Sequence, residues 1–208
     1  MIKVICVLKT GGDYDYEDVL SLKCQIETHV NYPYEFACYS DDERVATDKL
    51  TMDLEGWWSK IEIFENTGPC IFLDLDTVLC GDISILAKYI DESYGEFLML
   101  EHFDKSKILE GKAASGVMAW NGDFSFLRSD FKEKNKKCRM DQVYIVNKLR
   151  RHGIKIGFVN EIIGSIVSYR WHSRTSGIPS NAVICCFHGK PRPRTIGMPF
   201  WGFHLTHN

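Results

Sequence analysis

Two aspartates one residue apart, Asp74 and Asp76, sit in the stretch CIFLDLDTVLCGDI at residues 70–83. The run Cys70, Ile71, Phe72, Leu73 before them is continuously apolar, the pattern of a strand covered on both faces. On an extended backbone, residues i and i+2 point to the same side, so the two carboxylates would stand roughly 5–7 Å apart. At an effective dielectric near 20, two such charges about 5 Å apart repel by roughly 3 kcal/mol. A divalent cation with oxygen ligands answers that repulsion, and Mg2+ typically takes one or two carboxylates together with substrate phosphates. The alternative is a strand-end turn with two solvated aspartates. The C-terminal ends of strands are where open α/β sheets bind ligands.

The surrounding elements supply such a sheet. IKVICVL reads as a first strand and KTGGDYD as the loop at its end. A helix follows in YEDVLSLKCQIETHV, with Val19, Leu22, Ile26 and Val30 recurring at three or four. YEFACYS is a second strand, and WWSKIEIFEN a short amphipathic helix before the strand that carries the aspartates. This βαβαβ order implies parallel strands joined by right-handed crossovers. GEFLMLE and ASGVMAW read as further strands, DQVYIVNKLRRHG as a helix from Asp141 to a stop at Gly153, and NAVICCFHG as a late strand. KTGGDYD is neither G-x-G-x-x-G nor G-x-x-x-x-G-K-[ST], which removes the dinucleotide fingerprint and the P-loop.

The 208 residues, 45% hydrophobic and 12% aromatic, suffice for one well-buried domain. Eight scattered cysteines without a C-x-x-C spacing read as buried thiols rather than a zinc site or disulfide framework. The chain starts directly as a strand, with no basic leader and no 18-residue apolar run, so a cytoplasmic protein is expected. Acidic residues outnumber basic ones 24 to 10 through residue 127, and basic outnumber acidic 15 to 4 beyond it. A basic C-terminal third is either a solvated face or the mark of an anionic ligand or partner.

Five segments, WWSKIEIF, IFLDLDTVLCGD, ASGVMAWN, DQVYIVN and FHGKPRP, occur in an order that resembles the GT-A-fold glycosyltransferases, especially family 8 and its small bacterial and phage relatives. The resemblance implies an α/β fold with a Rossmann-type mixed, mainly parallel sheet flanked by helices. It implies a single domain over 1–208, with 1–120 mainly binding a nucleotide sugar and 121–208 holding the acceptor half and a C-terminal metal and diphosphate segment. Asp74 and Asp76 match the D-x-D, and His188 matches a third metal ligand. An imidazole in the set favours Mn2+ over Mg2+, which prefers oxygen. Gly189 and Lys190 match the diphosphate segment, contracted here from H-x-x-G-x-x-K-P, with Arg192 or Arg194 as substitutes for Lys190.

The same resemblance places Lys60 against the donor, where the plain alternative is an exposed helix lysine. Ser115 and Gly116 match an N-S-G segment at the donor sugar, with alanine in place of the asparagine. Asp141 and Gln142 match a D-Q pair near the reacting carbon, although Asp141 could equally cap its helix. Val7, Lys9 and Thr10 would contact the nucleoside, with Tyr14 or Tyr16 stacking on the base. The implied activity is metal-dependent transfer of a sugar, UDP-linked, to an acceptor hydroxyl with retention. The acceptor is a glycan or lipopolysaccharide precursor, or DNA bearing hydroxymethylated bases. Competing readings are a nucleotidyltransferase, a nucleotide-sugar hydrolase, or a catalytically idle carbohydrate- or nucleic-acid-binding module. The tail segment MPFWGFHL reads as core or active-site wall, or as a contact with a membrane surface. Trp57, Trp58, Trp120, Trp171 and Trp201 suit either an acceptor cleft, where sugars stack on aromatic faces, or core packing, and none is assigned.

Overall fold

A computed structural model describes residues 1–104, 113–138 and 140–197. The tail segment MPFWGFHL, Trp201 included, lies outside the described residues. The strands are β1 (Ile2–Leu8), β2 (Tyr34–Ser40), β3 (Asp48–Lys49), β4 (Cys70–Leu73), β5 (Thr77–Leu79), β6 (Phe97–Glu101), β7 (Ala113–Trp120), β8 (Ile156–Phe158), β9 (Ser165–Ser168) and β10 (Ala182–Cys186). The helices are α1 (Tyr16–His29), α2 (Ser84–Glu92), α3 (Phe126–Ser129) and α4 (Asp141–Arg151).

Seven strands form one sheet in the order β3-β2-β1-β4-β7-β6-β8. All neighbours are parallel except those of β7, which runs antiparallel to both β4 and β6. This is the mixed, mainly parallel α/β sheet expected from the sequence. A second sheet, β5-β10-β9, pairs β10 antiparallel to β5 and parallel to β9.

Alternation along β1 divides the core. Val4, Cys6 and Leu8 pack with Val19, Leu22 and Ile26 of α1 and with Leu86 and Ile90 of α2, whereas Ile5 joins Phe72, Trp120 and the face of α4. Both faces are thus covered, which is why β4 is apolar at every position. Asp15 starts α1 by accepting the Glu17 N–H at 3.0 Å, while Asp18 accepts the Asp15 N–H at 2.9 Å. Buried Gln25 on the same helix accepts the Leu79 N–H at 2.8 Å, pinning β5 beside α1.

WWSKIEIFEN, expected as an α-helix, winds instead as a 3₁₀ segment from Gly56 to Glu65. Ser59, Lys60, Ile61, Glu62, Ile63 and Phe64 in it are all buried, so packing on several sides rather than one amphipathic stripe decides its form. All eight cysteines are free thiols, five of them buried. No helix among the described residues is long and apolar enough to cross a membrane.

Candidate active site

Two ladders carry the chemistry-bearing residues to one place. β4 ends at Leu73, which pairs with Val117 of β7, so the Asp74 N–H donates to the Gly116 carbonyl at 2.9 Å. That register puts Ser115 and Gly116 beside the first aspartate. The chain then turns through Leu75 and Asp76, closed by a Thr77 N–H to Asp74 carbonyl bond of 2.9 Å. On the far side Thr77 pairs with Cys186 of β10, and the Phe187 N–H donates to the Asp76 carbonyl at 2.9 Å. His188 is the next residue after this bond and lines the same cavity as Asp76. These residues open onto a cavity of about 960 Å³, within the size range of small-molecule sites.

One side of the cavity holds a buried ionic cluster. Lys60, 6% exposed, donates to Asp74 Oδ2 at 2.9 Å and lies 3.2 Å from Asp141 Oδ2, which also accepts from Ser115 Oγ at 2.7 Å. Lys60 is therefore not an exposed helix lysine. Burial alone would lower its pKa, but Asp141 and Asp74 more than offset that and hold it above the usual lysine value. Asp141 occupies the first position of α4 rather than its cap, which is Met140, and its carboxylate makes no capping bond. The side chain is spent on Ser115 and Lys60.

The other aspartate has different partners. Tyr14 donates to Asp76 Oδ2 at 3.1 Å, and Arg192 Nη1 lies 3.3 Å from the same oxygen. The Arg192 guanidinium also donates to the Tyr14 hydroxyl, sits 4.5 Å from the centre of its ring, and reaches Asp13 Oδ2 at 2.8 Å. Burial, and then the neighbouring Asp74 charge, push the Asp76 carboxyl up to about 7. Asp74 is raised by burial too, against the pull of Lys60. Burial followed by Asp76 raises the Tyr14 phenol well above its ordinary value.

His188 is half-buried, and its Nε2 is shielded from solvent with no hydrogen-bond partner among the described residues. Burial, with smaller effects of His102 and Arg170, lowers its pKa to about 4, so the ring is a neutral nitrogen donor at physiological pH. Among the described residues no group of three or more His, Cys, Asp and Glu side chains is placed to hold a metal ion. Asp74, Asp76 and His188 nevertheless line the same cavity and are donor types that a divalent ion takes: two carboxylates whose charge burial penalises, and a neutral ring nitrogen with no partner among the described residues.

The remaining expected residues divide. Val7, Lys9, Tyr14, Lys60, Asp74, Asp76, Ser115, Gly116, Asp141, Gln142, His188 and Gly189 all line the cavity. Lys9 is held by Asp41 at 3.1 Å and Asp53 at 3.0 Å. Thr10 borders a smaller adjoining hollow, where its N–H and hydroxyl donate to Asp41. Tyr16 lies outside the lining, with the Arg44 guanidinium 3.8 Å from the centre of its ring. Lys190 is exposed and does not line the cavity; Arg192 takes that place. Asp13, His102, Phe103 and Arg170 also line it and carry no signal in the sequence, and Trp171, one of the tryptophans left unassigned there, lines it too.

The mixed, mainly parallel sheet flanked by helices is a GT-A-type fold, and comparison with solved structures gives the same fold. The chain is similar to the glycosyltransferase GlyE of Streptococcus pneumoniae TIGR4, at 12% identity and TM-score 0.63 over 92% of this chain and 55% of that one. It is likewise similar to the galactosyltransferase LgtC, solved with donor and acceptor sugar analogs, at 13% identity and TM-score 0.56 over 96% of this chain and 92% of that one. WbbM, a bifunctional glycosyltransferase, matches at 10% identity and TM-score 0.56 over 93% of this chain and 46% of that one. The chain spans about half the length of the GlyE chain it matches. No protein-family profile and no curated protein sequence matches.

Proposed function

We propose that this chain transfers a sugar from a nucleotide sugar, UDP-linked, to an acceptor hydroxyl with a divalent metal ion, Mn2+ in preference to Mg2+. The observation that carries the reading is a single cavity lined by Asp74, Asp76 and His188, whose Nε2 has no partner among the described residues, together with the ionic cluster of Lys60, Ser115 and Asp141. Asp74, Asp76 and His188 would hold the ion, which supplies Lewis-acid stabilisation of the departing diphosphate.

The protein's own groups have separate tasks. Lys60 sets a positive charge between Asp74 and Asp141 in a buried setting and fixes both carboxylates. Gly116 leaves room beside Asp74 for a sugar: a Cβ there would point to within 3.7 Å of Asp74 Oδ2. Gly189 leaves the backbone open to the diphosphate, and Arg192 is the cation nearest Asp76. Asp141 and Gln142 border the donor sugar; the Asp141 charge stabilises a sugar carbon that turns cationic as its bond to the diphosphate breaks. Retention rests on the resemblance to family 8, with the departing phosphate oxygen accepting the proton of the acceptor hydroxyl. Val7, Lys9 and Thr10 at the end of β1 would contact the nucleoside.

The test is release of UDP from UDP-sugars by the purified chain, with Mn2+ and with EDTA, in wild type and Asp76→Asn. Metal-dependent release lost in the variant supports the reading. Equal release with EDTA, or an unaffected variant, refutes it.

A further inference from the structure

Trp58 and Trp120 are core residues at 7% and 0% exposure, whereas Trp57 and Trp171 stand 57% and 58% exposed and both line the cavity. Burying an indole is strongly favourable, so an indole held out on a rigid base is informative. Trp57 follows Gly56, which also borders the small hollow formed by Lys9, Thr10, Gly11 and Gly12, so it belongs to the end of the cavity next to the β1 loop. Trp171 belongs to the part of the lining that is linked to His188. Its neighbour His172 contacts Phe103 with ring centres 5.6 Å apart, and Phe103 contacts His188 at 5.1 Å.

The segment carrying Trp171 is built to present it. Tyr169–Ser173 winds as a single π-type turn, a form concentrated at functional sites. Its ends are tied down: Tyr169 stacks on Phe187 at 4.4 Å, Ser173 is fully buried, and His172 Nδ1 accepts the Ser168 N–H at 3.0 Å. The Trp171 N–H donates to Ser168 Oγ at 3.3 Å. Arg170, Trp171 and His172 of this turn are exposed, and of these Arg170 and Trp171 line the cavity.

We propose that Trp171, flanked by Arg170 and Phe103, is the acceptor subsite, and that the acceptor is a sugar ring of a glycan. This rests on the transferase reading above. The C–H face of a pyranose carries the slight positive charge that an indole face attracts, and its hydroxyls suit a guanidinium at the edge. The charge pattern separates this from DNA. Apart from Arg170 and Arg192, the described lysines and arginines of the basic C-terminal third lie outside the lining of this cavity.

The test uses the whole chain with Mn2+ and UDP present, titrated with maltose, lactose, cellobiose and chitobiose and followed by saturation-transfer NMR. Wild type, Trp171→Ala and Trp171→Phe are compared, and UDP affinity is measured in each. The expected result is binding of at least one disaccharide, weakened about tenfold or more in Trp171→Ala and less than threefold in Trp171→Phe, with UDP affinity within twofold throughout. Binding indifferent to Trp171, binding of none of the four sugars, or Trp171-dependent binding of duplex DNA or anionic vesicles instead would overturn the proposal. Failure of UDP to bind even wild type would overturn the transferase reading alone, because sugar binding that depends on Trp171 would survive it.

Discussion

Replacing Lys60 with methionine removes the positive charge held between Asp74 and Asp141 while keeping the volume of the side chain. At 2.9 Å and 3.2 Å, each attraction is about 5–6 kcal/mol at an effective dielectric near 20, before the desolvation of the lysine is set against it. Breaking one partner out of a buried ionic cluster typically costs about 3–5 kcal/mol. The Asp74 side chain is 31% exposed and can recover some hydration, so the lower end of that range applies, about 3 kcal/mol. With an unfolding entropy of about 2.1 cal/mol/K per residue, this corresponds to a fall in Tm of roughly 7 °C. The Asp141 side chain, 8% exposed, carries most of the penalty, so Lys60→Met/Asp141→Asn should recover more than half of the loss. Burial already raises the Asp74 carboxyl against the pull of Lys60; without the lysine it binds its proton still more tightly in the folded state, so the deficit should be smaller at pH 5 than at pH 8. Thermal and urea denaturation followed by circular dichroism measures all three quantities. A Lys60→Met variant within 1 kcal/mol of wild type, or a double variant showing no recovery, would refute the reasoning.

Other perturbations follow from the same geometry. In EDTA, Asp76, whose folded pKa stands near 7 against an ordinary value of about 4, disfavours folding once ionised. Asp76→Asn should therefore gain stability relative to wild type as pH rises from about 4 to 7 and hold that gain above, which urea titrations at pH 4.5, 6 and 8 would measure. His188 works in the opposite sense: its folded pKa near 4 is depressed, so its contribution is full above about 6.5 and is lost as pH falls toward 4, and His188→Asn should remove that slope. Gly116→Ala meets only ordinary contact at 3.7 Å, so its Tm should stay within a few degrees while affinity for a UDP-sugar falls at least fivefold and that for UDP does not. Arg192→Ala frees Asp76 Oδ2 and Tyr14, so calorimetry without nucleotide should show Mn2+ bound several-fold more tightly; weaker binding would mean that Arg192 organises the site instead of competing for it.

Much of this site was legible because its pieces sit on elements with strong local signals. The apolar run before Asp74, the β-rich stretch before His188 and the helix beginning at Asp141 each announce a strand end or helix start, and such ends are where the cavity formed. Lys60 was the instructive ambiguity. Its sequence surroundings fit an exposed helix lysine equally well, and only the packing of the 3₁₀ segment against β4 and β7 buries it between two carboxylates. The link from Arg192 to Asp13, Tyr14 and Asp76 joins positions at opposite ends of the chain and leaves no periodicity to read. The contraction to His188-Gly189-Lys190-Pro191 carries a physical consequence of the same kind: Gly189 takes a φ of +81°, the chain swings outward, and Lys190 is exposed while Arg192 returns to the cavity. The exposure of Trp171 depends on a single π-type turn, which side-chain patterning does not encode.

The central claim is that Asp74, Asp76 and His188 form a metal-dependent nucleotide-sugar site. Its most direct test is calorimetric titration of UDP-glucose, UDP-galactose, UDP, GDP and their sugars into the chain, with Mn2+ and then with EDTA, in wild type and Asp76→Asn. The account requires binding of the UDP class in Mn2+ only, abolished in the variant. Binding that survives both EDTA and Asp76→Asn, or no binding of any nucleotide under either condition, would contradict it.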